Sequence, residues 1–168
     1  MKSPHDRPIR PLCDDDLDWA HALNQQHAVE LSSLSRDGFA ALAAKATRAV
    51  AIDERAAFLL AFDQDADYDS PNFLWFKARY PRFLYVDRFV VAPTHRRLGL
   101  ARKLYDDLFA AARVAGHDIV VCEVNASPPN PSSEAFHRSL GFEAVGRETL
   151  EGQDKEVDYL LCRLSPTG

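Results

Sequence analysis

Cysteine is scarce in this 168-residue chain. Cys13, Cys122 and Cys162 are far apart, odd in number and form no CxxC pair. That excludes a disulfide framework and supplies no zinc-ligand spacing, so reduced thiols are expected. Glycine is sparse too, at 7 residues. No GxGxxG follows a strand, which excludes a dinucleotide-binding fingerprint. No apolar run reaches the ~18 residues of a membrane span. Lys2, His5, Asp6 and Arg7 precede polar and proline residues where a secretory signal would have an apolar stretch. A cytoplasmic setting is therefore expected. Positive charge is in deficit, with 20 Lys+Arg against 25 Asp+Glu and a formal net charge of −5. General nucleic-acid binding needs the opposite balance. A local basic pocket for a phosphorylated ligand stays compatible with it.

What is present is an ordinary globular composition, 46% hydrophobic and 27% charged. Neither a repeat nor a linker divides it, so a single domain over residues 1–168 is expected. Ile9 to Leu12 reads as an edge strand. Asp14, Asp15 and Asp16 offer an N-cap and first-turn acids for a helix through Trp19, Leu23 and Val29. Asp37 or Ser35 caps a second helix with Phe39 and Leu42. Val50–Ile52 and Ala57–Phe62 read as a hairpin, and Phe73–Tyr80 as a short aromatic helix. Phe83–Val91 is the clearest strand, apolar enough on both sides to be central. Arg97–Ala115 keeps a helical period and ends at Gly116. Ile119–Val124 is another buried strand. Ser132–Leu140 is a helix closed by Gly141 and Phe142, and Phe142–Val145 and Val157–Leu164 form a last hairpin. This interleaving predicts an α/β (α+β) fold with a mixed sheet and helices on its faces.

Val90-Val91-Ala92-Pro93-Thr94-His95-Arg96-Arg97-Leu98-Gly99-Leu100-Ala101-Arg102 joins the best strand to the best helix. Pro93 ends the strand. Gly99 and Ala101 leave the helix start nearly bare. Its free N–H groups and partial positive charge suit an anion. Arg96, Arg97 and Arg102 add donors for phosphate oxygens.

Arg96-Arg97-Leu98-Gly99-Leu100-Ala101 resembles motif A of the GNAT superfamily of N-acetyltransferases, Gln/Arg-x-x-Gly-x-Gly/Ala. Downstream, Asn130 to Phe142 resembles the family's Asn, small helix and Gly-Phe pair at matching spacing. The resemblance spans roughly residues 83 to 145. It implies a central mixed, mostly antiparallel sheet flanked by helices on both faces, and acetyl-CoA as donor with no metal. It implies that the backbone of Phe89, Val90 and Val91 pairs with the pantetheine arm. Arg96, Arg97, Leu98, Gly99, Leu100, Ala101 and Arg102 would wrap the pyrophosphate. Asn130 would bond the pantetheine, and Phe136 would lie near the cofactor.

The family's frequent tyrosine acid is replaced here by His137. Three roles stay open for it: acid or thiolate stabiliser, cofactor contact, or core packing. An attacking amine must be neutral, so a carboxylate base is expected. Glu123 ends an apolar strand on the face of Ile119 and Val121, and Asp87 is the rival, alternating with Tyr85 and Phe89. Tyr68, Phe73, Trp75, Phe76, Tyr80, Phe83 and Tyr85 read as core, or as an acceptor wall or dimer contact. Arg79, Arg82 and Arg88 could favour a carboxylate-bearing acceptor, and Asn24 could line its site. The expected partner is a small-molecule or peptide amine, with no nucleic acid and no membrane, for a monomer or homodimer. The alternative is a non-catalytic acyl-CoA-binding or sensing domain of the same fold.

Overall fold

A computed structural model describes residues 7–165, and the polar stretch ending at Asp6 lies outside them. Seven strands form one mixed sheet in the order β1-β2-β3-β4-β5-β7-β6. The pairs β1–β2, β2–β3, β5–β7 and β6–β7 are antiparallel, while β4–β5 is parallel. This is the α/β mixed-sheet class that the element order predicts. The described residues sort into two units that the chain enters alternately. The first holds residues up to Phe62 with Arg88–Ala110, and the second holds Asp63–Asp87 with the residues from Ala111 onward. Among the described residues no helix is long and apolar enough to cross a membrane.

In the first unit, β1 (Ile9–Pro11), β2 (Arg48–Ile52) and β3 (Ala57–Asp63) form a meander with Ile9 opposite Ile52 and Val50 opposite Leu59. Every residue from Ala57 to Phe62 is fully buried. A strand buried on both sides cannot alternate polar residues, and β3 has none before Asp63. The single long helix expected after Asp14 is broken. A 3-10 turn at Asp14–Asp16 leads into α1 (Leu17–Gln26), and α2 (Ala28–Leu31) follows after His27 leaves helical geometry. Asp16 does more than cap. Its two oxygens accept from the Arg10 guanidinium at 2.7 and 2.9 Å, from Trp19 Nε1 at 2.9 Å and from the Cys13 N–H at 2.9 Å. The carboxylate thereby ties β1 to the first helix. The α3 helix (Arg36–Lys45) starts at Ser35, whose Oγ accepts from the Gly38 N–H at 2.9 Å.

Two elements run from one unit into the other, β4 (Leu84–Val91) and α5 (Leu100–Val114). β4 is less sealed than its apolar run suggests: Asp87, Phe89 and Val91 are half-buried. The strand buried on both sides is β3. On α5, Leu100, Leu104, Leu108 and Ala112 are buried at a spacing of four residues.

The second unit contains α4 (Pro71–Lys77), β5 (Ile119–Ser127), α6 (Pro131–Ser139), β6 (Glu143–Leu150) and β7 (Lys155–Arg163). Leu84 and Tyr85 of β4 pair with Val120 and Val121 of β5, and β5 pairs with β7 so that Glu123 faces Tyr159. The α6 helix closes as expected, with the Phe142 N–H on the His137 carbonyl at 3.1 Å and the Gly141 N–H on the Arg138 carbonyl at 3.0 Å. The last hairpin is longer than its apolar residues indicate. Its added length is held by polar pairs such as Arg147 opposite Asp158, bonded at 2.6 and 3.1 Å.

Asp16 is 3% exposed, and the Arg10 guanidinium, despite the opposing effect of burial, holds its carboxyl well below the usual carboxylate range. A group with a lowered folded-state pKa stabilises fully above the ordinary aspartate value of ~4, and that stability is lost as pH falls below it. Asp16→Asn is expected to lower unfolding free energy in urea by about 2–3 kcal/mol at pH 7. The gap between variant and wild type should narrow at pH 3.

Candidate active site

The loop before α5 is shaped by two residues in the left-handed region, Arg97 at φ 64° and Gly99 at φ 75°. They delay the helix to Leu100, three residues later than its periodicity predicts. A Cβ at Gly99 would meet nothing within 4 Å, so glycine serves the backbone angle there and not space. The first helical hydrogen bond of α5 runs from the Lys103 N–H to the Gly99 carbonyl at 3.0 Å. The N–H groups of Leu100, Ala101 and Arg102 precede it, as a helix start requires. Arg96, Arg97 and Arg102 are exposed. Arg96 Nη2 donates to His27 Nε2 at 2.9 Å, and His27 Nδ1–H donates to the Leu23 carbonyl at 3.0 Å. The end of α1 thus steadies one of the three arginines. An exposed cationic turn at a fifteen-residue helix start suits a diphosphate.

On β4, Val90 is buried, and half-buried Phe89 meets the Tyr105 ring edge-on at 5.2 Å. Arg88 Nη1 donates to Asn24 Oδ1 at 2.8 Å, and both residues are buried. Asn24 also donates to the Ser32 carbonyl at 3.2 Å. Its amide therefore braces the first unit.

The second unit brings Glu123 into a network of side chains. Glu123 Oε2 accepts from the Tyr85 hydroxyl at 2.7 Å, and Oε1 accepts from Asn72 Nδ2 at 3.0 Å. Asn72 Oδ1 in turn accepts from the Tyr159 hydroxyl at 2.9 Å. Tyr85 is fully buried. Burial first, then the charges of Glu123 and Asp87, push its pKa well above the ordinary tyrosine value. Tyr159 is pushed up to about 12 by burial and by Glu123. Both phenols are therefore neutral donors over the working pH range. Asp87, the rival carboxylate, accepts from the Tyr68 hydroxyl at 2.7 Å. Tyr85 is thus flanked by the two candidate bases.

Three strands align a row across this sheet, with Glu123 opposite Tyr159 and Tyr159 opposite Gly146. A bulge at Val145 sets that last pair. Gly146 lies under Trp75, where any Cβ would overlap the indole. The indole stacks on the Tyr159 ring at 4.2 Å and 20°, with the Arg79 guanidinium 4.0 Å over it. Phe73 and Phe76 are fully buried, so this part of the aromatic stretch is core.

The third group of expected site residues sits on and before α6. Asn130 caps it, its Oδ1 accepting from the Ser133 N–H at 3.4 Å. His137 is 2% exposed, and its ring lies edge-on to Phe142 at 5.2 Å and Phe136 at 5.5 Å. Nδ1–H donates to the Ser133 carbonyl at 2.7 Å. Burial pushes its pKa down, against the opposing Ser133 bond. The ring is neutral at pH 7, with its proton on Nδ1.

Asn72 and Tyr159 escaped the sequence reading. Asn72 reads as the end of a polar loop from Asp63, whereas α4 already begins at Pro71, and Tyr159 alternates among apolar residues of β7. Nothing local to either marks a carboxylate partner 51 or 36 residues away.

A family model described as the acetyltransferase (GNAT) family matches residues 49–142, more than half of the chain. The chain belongs to that family. No curated protein matches the sequence. Solved structures share the fold. The Escherichia coli ribosomal-protein-S18-alanine N-acetyltransferase is similar at 20% identity and TM-score 0.67, over 96% of each chain. A putative acetyltransferase, yncA, from Salmonella typhimurium, solved with acetyl-CoA, is 19% identical with TM-score 0.66, over 97% of this chain and 96% of that one. The spermidine N-acetyltransferase of Vibrio cholerae, solved with CoA and spermine, is 17% identical with TM-score 0.68, over 95% and 96%. The acetyltransferase's own side chains carry the rest of the case.

Gly146→Ala should force the Trp75 indole off the β6 bulge, at a cost of about 1–3 kcal/mol in thermal unfolding. Trp75→Phe should recover part of that loss in the double variant, a non-additivity that identifies the contact.

Proposed function

We propose that this acetyltransferase moves the acetyl group of acetyl-CoA to the amine of a small molecule or peptide within one domain, with Glu123 as the base. The observation that carries the reading is the doubly hydrogen-bonded Glu123 carboxylate on β5. Two neutral donors, the Tyr85 phenol and the Asn72 amide, fix its orientation. In the reaction, the amine nitrogen bonds to the thioester carbonyl carbon and the carbon–sulfur bond breaks. The proton leaving nitrogen passes to Glu123, directly or through water, and the departing thiolate is protonated by solvent. Residues Arg96 to Arg102 would hold the diphosphate against the α5 start. The backbone of Phe89, Val90 and Val91, the Asn130 side chain and Phe136 would position the pantetheine.

His137 is read here as an orienting residue. A neutral ring whose proton is already donated to Ser133 has none on Nε2 for a thiolate. Asp87, which accepts from the Tyr68 hydroxyl, is the reserve base. The departure at His137 is also what favours the second reading, acyl-CoA binding without turnover. The polar, net-acidic chain supports a cytoplasmic setting.

The test is thiol release from acetyl-CoA with spermine, spermidine, free amino acids and short peptides with free N-termini. Turnover on at least one amine is expected; binding of CoA without turnover on any amine supports the second reading. Glu123→Gln should lower kcat/KM by roughly 10²–10⁴-fold and leave CoA affinity unchanged. His137→Phe should keep most of the wild-type rate at pH 8, and a collapse there would restore the acid role.

A further inference from the structure

We infer that Asn72 is a positioning residue for Glu123, with its amide set by Tyr159. This rests on the reading of Glu123 as base and extends it to α4.

Glu123 and Tyr159 face each other across β5 and β7, and Asn72 bridges them from α4. A carboxylate can only accept, so the amide must turn Nδ2 toward Oε1 and Oδ1 toward the Tyr159 hydroxyl. Tyr159 then has to donate, and its raised pKa keeps that proton in place. The reversed amide would set two oxygens against each other. The bridge therefore holds the carboxylate in one orientation.

The anchor of Asn72 is mechanical. Trp75 lies three residues along the same helix, so the two side chains share a face. The Trp75 ring is pressed on Tyr159, and the bare Gly146 leaves room for it. Phe76 meets Tyr159 edge-on at 5.2 Å. The same helix thus clamps the Tyr159 ring and supplies the amide that its hydroxyl directs.

The test compares pH–rate profiles of Asn72→Ala, Asn72→Asp and Tyr159→Phe, using whichever of spermine, spermidine or an alanine-initiated peptide turns over fastest. Losing a donor to a carboxylate makes it easier to protonate. For Asn72→Ala the acidic limb should move up by about one pH unit, with kcat down roughly 10-fold and KM for acetyl-CoA unchanged. Asn72→Asp keeps the side-chain shape but sets a second carboxylate beside the first, so the limb should move further. Tyr159→Phe should shift it less. A purely structural role would lower the active fraction and leave the limb in place. If Glu123→Gln is inactive while both Asn72 variants keep the wild-type limb, this inference is overturned and the base reading stands. If Glu123→Gln keeps the wild-type rate and limb, the base reading fails, and the inference with it.

Discussion

The carboxylate of Glu123 has to be satisfied on a strand whose preceding residues, Ile119 to Cys122, are all buried and apolar. An ionised group among such neighbours loses water and needs donors in its place. The second unit supplies them from two elements, a phenol from β4 and an amide from α4. Both phenols of the network are driven toward their neutral, donating form by burial and then by the nearby Glu123 charge. The same negative charge therefore creates the conditions that hold it. Trp75, Gly146 and the β6 bulge follow from this arrangement, because α4 must lie close enough for Asn72 to reach.

The first unit solves the complementary problem with backbone. The start of α5 is preceded by a turn with two left-handed residues, where Gly99 serves the backbone angle. Arg97 takes the same region with a side chain, which costs strain of order 1–2 kcal/mol. Side-chain bonds steady the surroundings: Arg96 to His27, and Arg10 to Asp16.

Much of this was legible along the chain. Local signals sufficed for the strands, the capped helices and the motif at Arg96 to Ala101, since each depends on neighbours within a few residues. Expectations went astray where tertiary geometry intervened. Phe83–Val91 reads as the sealed central strand, yet β3 is sealed and Asp87, Phe89 and Val91 are half-buried. The last hairpin reads short because its outer half pairs through Arg147 and Asp158 and not through apolar alternation. His137 reads as a candidate acid from its position in a motif. Its partner, the Ser133 carbonyl one turn back, is visible only once the ring is placed.

The sequence by itself determined the family, because the motif that carries it is written in contiguous residues. It also placed a carboxylate at position 123. Only the tertiary structure decided what that carboxylate is bonded to. Asn72 and Tyr85 stand 51 and 38 residues from Glu123, and Tyr159 stands 87 from Asn72, so no local periodicity announces these hydrogen bonds. Their meeting depends on the register that sets Glu123 opposite Tyr159, and on a glycine that lets a tryptophan lie flat.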